Sequence, residues 1–201
     1  MNGKHIGAAF QGKNYEPQRA NNGYLYIPSA PLGFAKYGYL WDGGEAFLSS
    51  LRKCALPKHR NNSFTLQHQN QKHHFPASME IDSLEVVFGT YTGSPLLDIL
   101  HAWRNLVADW DTGAVGWKRD IIADGIINLI APDGQDVKGR AGTYELHGMF
   151  PLDMDDGEID YDTDDQLLVT VIFSVDKVHF NNRDRHHSFL NKHRPHTPLN
   201  P

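Results

Sequence analysis

Eight carboxylates lie between Asp153 and Asp165 with no Lys or Arg among them. Oxygen-rich loops of this kind suit hard cations such as calcium, but the spacing does not fit the regular calcium loop. Counting from Asp160, Asp162 and Asp164 fall at the third and fifth positions, yet the sixth is Asp165 rather than Gly and the twelfth is Val171 rather than Glu. A solvated acidic loop is the better reading, with a looser cation site as the alternative. Twelve histidines raise the question of a transition metal. His68, His73 and His74 share one polar segment, and His186, His187, His193 and His196 share the C-terminal tail, but neither an HExxH pair nor a Cys-His zinc spacing accompanies them. Phosphate-cradling glycine loops and a GxSxG nucleophile elbow are also missing. The single cysteine, Cys54, reads as a small apolar core residue in a protein made in a reducing compartment. Trp103 and Trp110 could stack bases, but they fall on an apolar helical stripe, which assigns them to packing. No catalytic residue, cofactor site or metal site is expected, and an enzyme has no motif to recommend it.

The elements that would carry such residues are mostly strands. From Thr143, Tyr144, Leu146, Gly148 and Phe150 alternate with Glu145, His147 and Met149, a period of two, and Pro151 is expected to end the strand. After the acidic loop, Leu167, Val169, Val171, Phe173 and Val175 alternate with Leu168, Thr170, Ile172, Ser174 and Asp176. Both faces begin apolar, which predicts burial between layers or between subunits. Earlier, Gly23 to Ile27 and Leu48 to Leu56 read as strands, and Ile81 to Tyr91 alternates clearly. The run from Lys58 to Ser78 is polar and contains an expected loop from Gln67 to Ala77. The best helix follows Ser94 and Pro95, expected as N-cap and first helical residue, with Leu96, Leu97, Leu100, Trp103, Leu106, Val107 and Trp110 on one stripe. Trp117 to Ala131 supplies another strand, and Pro132 to Gly134 a turn. The predicted class is mainly β (α+β), an antiparallel β-sandwich or barrel-like domain with one packed helix.

Composition sets the frame. A chain of 201 residues suits one domain that buries roughly 70% of its unfolded surface. The expected division is an arm at 1–20, a β domain at 21–180 with a Gly/aromatic insertion at 28–46, and a basic, His- and Pro-rich extension at 181–201. The start lacks the apolar run of a signal peptide, and no stretch reaches the ~20 apolar residues of a membrane helix, so a soluble protein without a membrane partner is expected. A net charge of −5 argues against a protein that grips nucleic-acid phosphates.

Taken in order, these elements resemble the tail tube proteins of contractile-tailed bacteriophages, a family related to the inner-tube proteins of type VI secretion. The resemblance runs from about 21 to 180 through NNGYLYI at 21–27, FLSSLRKCALP at 47–57, the strand and helix between Ile81 and Leu106 with Trp103, and Arg119 to Ile130. YELHGMFP at 144–151 and LLVTVIFSVDKVHF at 167–180 complete it, and the order of these modest motifs is the specific signal. It implies a structural virion protein: hexameric rings stacked into a tube, each subunit lending strands to a ring-wide barrel. The implied partners are further copies of itself, tail sheath, baseplate and tail-terminator proteins, and double-stranded DNA passing through the lumen without sequence specificity. The implied setting is the phage tail, assembled in the host cytoplasm for genome delivery. Because the family uses an extended segment between its second and third strands, Gln67, His68, Gln69, Asn70, Gln71, Lys72, His73, His74 and Phe75 become the candidate inter-ring loop. Leu167, Val169, Val171 and Phe173 are the candidate buried or intersubunit strand, and Leu96, Leu100, Trp103 and Val107 the helix core. A baseplate tube initiator or tube-end protein is the near alternative; a monomeric ligand-binding β domain is the alternative from another class.

Overall fold

Alternating apolar residues in most of the predicted strands do build one antiparallel system. The computed structural model describes residues 21–37, 41–68, 70–130, 142–159, 161–162 and 165–180. The arm at 1–20, the extension at 181–201 and the turn at 132–134 lie outside them. In chain order the strands are β1 (Gly23–Tyr26), β2 (Leu51–Cys54), β3 (His59–His68), β4 (Gln71–Ile81), β5 (Leu84–Gly89), β6 (Ala123–Leu129), β7 (Thr143–Asp155), β8 (Leu168–Ser174) and β9 (Lys177–Phe180). The helices are α1 (Glu45–Ser50), α2 (Leu96–Val107) and α3 (Lys118–Ile121), with a 3₁₀ turn at Leu32–Tyr37. Seven strands form one sheet system in the order β1-β6-β7-β8-β5-β2, with β9 also on β7; β3 and β4 form a separate hairpin. Every pairing is antiparallel. The two ends of the order, β1 and β2, flank a shared cleft of about 540 Å³ lined by Tyr24, Leu51, Cys54 and Ile127, so the sheet curls toward closure.

The bend that makes this curl possible is in β7. Its first half pairs with β6 and β9, its second half with β8. Between the halves stands Gly148 at φ 69°, with its N–H donated to Asp124 Oδ1 at 3.2 Å. A β-carbon there would run into the Asp176 carboxylate, which Lys118 Nζ holds at 2.8 Å. Gly148→Ala is therefore expected to destabilise the subunit by about 1–3 kcal/mol, chiefly from backbone strain, since the displaced Lys118–Asp176 pair is exposed. Urea denaturation of the two proteins measures it.

Several expected boundaries move for physical reasons. Pro151 does not end β7, which continues to Asp155 along β8; the register slips between Pro151 and Asp153, and a bulge is where a strand tolerates a residue with no N–H. The long strand expected at 167–180 is two: after Ser174 the chain turns, Asp176 N–H bonds to His147 O at 3.0 Å, and β9 crosses to the other half of β7. Leu48 to Leu56 is a short helix followed by β2, and Trp117 to Ala131 contains α3 before β6. Pro95 rather than Ser94 occupies the N-cap of α2; Ser94 Oγ accepts the Leu96 N–H at 3.4 Å. The polar run after Lys58 is a hairpin, and most of the loop expected from Gln67 to Ala77 is strand.

The core lies inside the curl, under α2. Trp103 is fully buried, its indole N–H donated to Ile121 O at 2.7 Å, and its ring meets Phe173 at 5.6 Å, Trp41 at 6.3 Å and Phe47 at 6.4 Å. Phe34 and Trp41 from the 28–46 segment complete this group, 5.6 Å apart. That segment thus supplies core aromatics.

Candidate assembly surfaces

The strand and helix residues singled out from the sequence come together. Val169, Val171 and Phe173 are buried on the inner face of β8, and Leu96, Leu100 and Trp103 on the inner face of α2; Val107 and Leu167 are half-buried at the margin. On the opposite face of β8, Leu168 is exposed and Thr170, Ile172 and Ser174 are half-buried. The strand is therefore apolar inward within one subunit and only partly covered outward.

The candidate inter-ring residues are elsewhere, on the β3–β4 hairpin. Gln67 pairs with Lys72 and His68 with Gln71 next to the turn; Leu66 faces His73, Thr65 faces His74 and Phe64 faces Phe75. Gln69 lies outside the described residues, and Asn70 is in the turn. From Gln71 to Glu80 every residue is exposed. The two faces differ. One carries Phe64, Leu66 and Phe75, with the two phenyl rings stacked at 5.5 Å and yet about half exposed; the other is polar, with Thr65 Oγ1 3.0 Å from His74 Nδ1. Phe64 and Leu66 were missed from the sequence, although their two-residue spacing in SFTLQH was a strand signal.

A second surface was also missed. Helix α2 ends at Val107, so Trp110 is off the apolar stripe and is 77% exposed. It sits on a tight turn in which Asp109 Oδ1 accepts the Asp111 N–H at 2.9 Å and Oδ2 the Thr112 hydroxyl at 2.8 Å. Those bonds, the hydroxyl's first, hold the Asp109 carboxyl below the usual carboxylate range. Arg104 lies over the Trp110 ring at 5.1 Å. Between this turn and the second half of β7 runs an open groove of about 400 Å³, floored by Val107, Trp110, Pro151 and Leu152.

The acidic segment begins on β7 and is exposed at Asp153, Asp155, Asp156 and Glu158; Asp160, Thr163 and Asp164 lie outside the described residues. His101 Nε2 stands 3.6 Å from Asp156 Oδ1. Among the described residues, no group of three or more His, Cys, Asp or Glu is arranged to hold a metal ion. Burial pushes the Cys54 thiol up to about 12, so at neutral pH it is protonated and a poor nucleophile. No helix among the described residues is long and apolar enough to cross a membrane.

No protein-family model matches the chain, and no curated protein matches it by sequence. Solved structures do. The tube-terminating cap of the anti-feeding prophage aligns over 82% of this chain and 91% of its own with a TM-score of 0.59 at 10% identity. A chain of the sheath/tube terminator of an extracellular contractile injection system (PVC), in the extended state, aligns over 83% and 97% with a TM-score of 0.59 at 12% identity. A chain of the sheath–tube complex of that system aligns over 86% and 95% with a TM-score of 0.53, also at 12% identity. Over more than four-fifths of its length the protein shares the antiparallel β fold of chains from the cap, terminator and sheath–tube assemblies of contractile injection systems.

Proposed function

We propose that this chain is a structural tube subunit of a contractile particle, six copies closing a ring and rings stacking into a hollow conduit. The observation that carries the reading is the fold match to tube-capping components over more than four-fifths of the chain. The physical logic is that of an open sheet. Among the described residues β1 and β2 end the strand order without pairing to each other, and open edges are satisfied when neighbours add to them. A head-to-tail contact around a ring closes, and a second contact between rings repeats without closing, which makes a tube. In this reading the hairpin containing Gln67 to Phe75 reaches the adjacent ring. Sheath, baseplate and terminator proteins are the remaining partners, and the setting is a phage tail put together in the host cytoplasm. The cargo is double-stranded DNA, and a chain of net charge −5 gives a lumen little means of gripping phosphate.

A tube-end role is the second reading, favoured by the cap and terminator alignments scoring 0.59 against 0.53 for the sheath–tube complex. Negative-stain microscopy of the purified protein tests both. Stacked rings of roughly 100 Å diameter, the size expected of six domains of this length around a pore, support the tube subunit. Single rings that never stack support the end protein, and a strictly monomeric protein at high concentration overturns both.

A further inference from the structure

Among the described residues the hairpin and the Trp110 groove are two surfaces that nothing covers, and their chemistry is complementary. A lone two-stranded hairpin is marginal in water. This one leaves Phe64, Leu66 and Phe75 between 42% and 54% exposed in a continuous row. At roughly 3.3 Å per residue its strands extend about 30 Å, enough to reach beyond its own subunit. Between Lys58 and Ile81 it carries Lys58, Arg60, Lys72 and four histidines against one carboxylate, Glu80, which faces Arg60. The groove has the matching pattern. Its floor is apolar, with Trp110 77% and Leu152 58% exposed, and its borders carry Asp109 and Asp153; the one base among its described lining residues, Arg104, is engaged on the Trp110 ring. Asp109 is held ionised by its own turn.

We infer that the groove between Trp110 and Leu152 is the receptor for the β3–β4 hairpin of a second copy of this chain, with the Phe64–Leu66–Phe75 face against Trp110 and Leu152 and the basic edge against the bordering aspartates. The inference rests on the tube reading, and names the surface that reading leaves open: what the hairpin docks on. Each copy offers a hairpin and accepts another, so the contact is heterologous and propagates. Charge orients the hairpin, while the aromatic and aliphatic side chains supply most of the adhesion.

Two measurements on full-length protein test it. In a Cys54→Ser background, a Leu66→Cys chain is mixed with a differently tagged Leu152→Cys chain under mild oxidation. A disulfide-linked mixed dimer is expected, and its absence, or linkage only between like chains, overturns the docking. Separately, Trp110→Glu with Leu152→Glu is expected to keep the wild-type circular dichroism, both positions being exposed, and to raise the concentration needed for tubes ~30-fold or more, as loss of an interface hot spot does. Wild-type tubes together with unchanged assembly of this variant overturn the docking and leave the tube reading standing; the groove then serves a different protein. A mixed disulfide between the two cysteine chains, alongside wild-type protein that forms oligomers but never rings, supports the docking and overturns the tube reading.

Discussion

Val171→Asp is expected to leave no folded subunit, whereas Ile172→Lys, one residue further along the same strand, is expected to leave the subunit folded and to impair assembly. Val171 has no exposed surface and sits mid-strand in β8, paired to Val86 on one side and Met154 on the other. Removing its apolar burial costs roughly 1.5–3 kcal/mol. The new carboxyl finds no partner inside the aromatic core, and even after taking up a proton it costs several kcal/mol more. The sum rivals the whole stability of a domain, about 5–15 kcal/mol. Ile172 points the other way. Its strand neighbours are Glu85 and Asp153, so a lysine there meets two carboxylates and keeps its ammonium in water. Soluble yield and circular dichroism read folding, and microscopy then reads assembly. A folded, tube-forming Val171→Asp protein would show that β8 is not the centre of the core. Equal loss of folding from both variants would show that the outer face of β8 is as buried as the inner one.

The parts of the fold that the sequence made legible are those where one physical signal dominates. β5, β8 and the first half of β7 alternate cleanly because one face is buried, and α2 shows its stripe because it lies on the sheet. The errors occur where that signal fades. Glu45–Ser50 makes fewer than two helical turns, too few for a 3.6-residue period to separate from alternation, so its last three residues, from Leu48, read as the start of a strand. β4 is exposed on both faces, and a strand with no buried side has no reason to alternate. β8 and β9 keep a common period through Val175 and Asp176, so the crossing from one half of β7 to the other leaves no mark in the pattern. The same logic governs the candidate surfaces. Trp110 follows the helical spacing of α2 by three residues, and only the bridge of Ala108 to Val115 and the turn bonded by Asp109 show that the helix has already ended. A residue that is apolar because a partner will cover it looks, in sequence, like one that is apolar because its own core does.

Trp103→Ala should lower stability by about 3–5 kcal/mol, the usual range for emptying a large aromatic site, with a further 1–3 kcal/mol where the Ile121 carbonyl is left without its donor. For a chain of this length the melting temperature should fall by roughly 10 °C or more. Trp103→Phe separates the two contributions: it keeps a ring against Phe173 and Phe47 but gives no hydrogen to Ile121 O, so its loss should be the smaller and lie near the hydrogen-bond cost alone. Urea denaturation of dilute protein is the measurement, because self-assembly would add stability by mass action and mask the difference. Circular dichroism is the readout, since the substitution removes one core fluorophore and alters the surroundings of another, Trp41, beside the exposed Trp110 and Trp117. Equal midpoints for the alanine variant and the wild type would sink the idea that this indole joins α2, α3 and β8. The consequence for assembly follows from position. Trp103 touches neither the hairpin nor the groove, so a Trp103→Phe protein that is folded at the working temperature should form tubes at the wild-type concentration. Trp103→Ala should form them only insofar as the subunit remains folded, and a loss of tubes without a loss of fold would mean that the core aromatics also set the angle at which α2 presents Trp110.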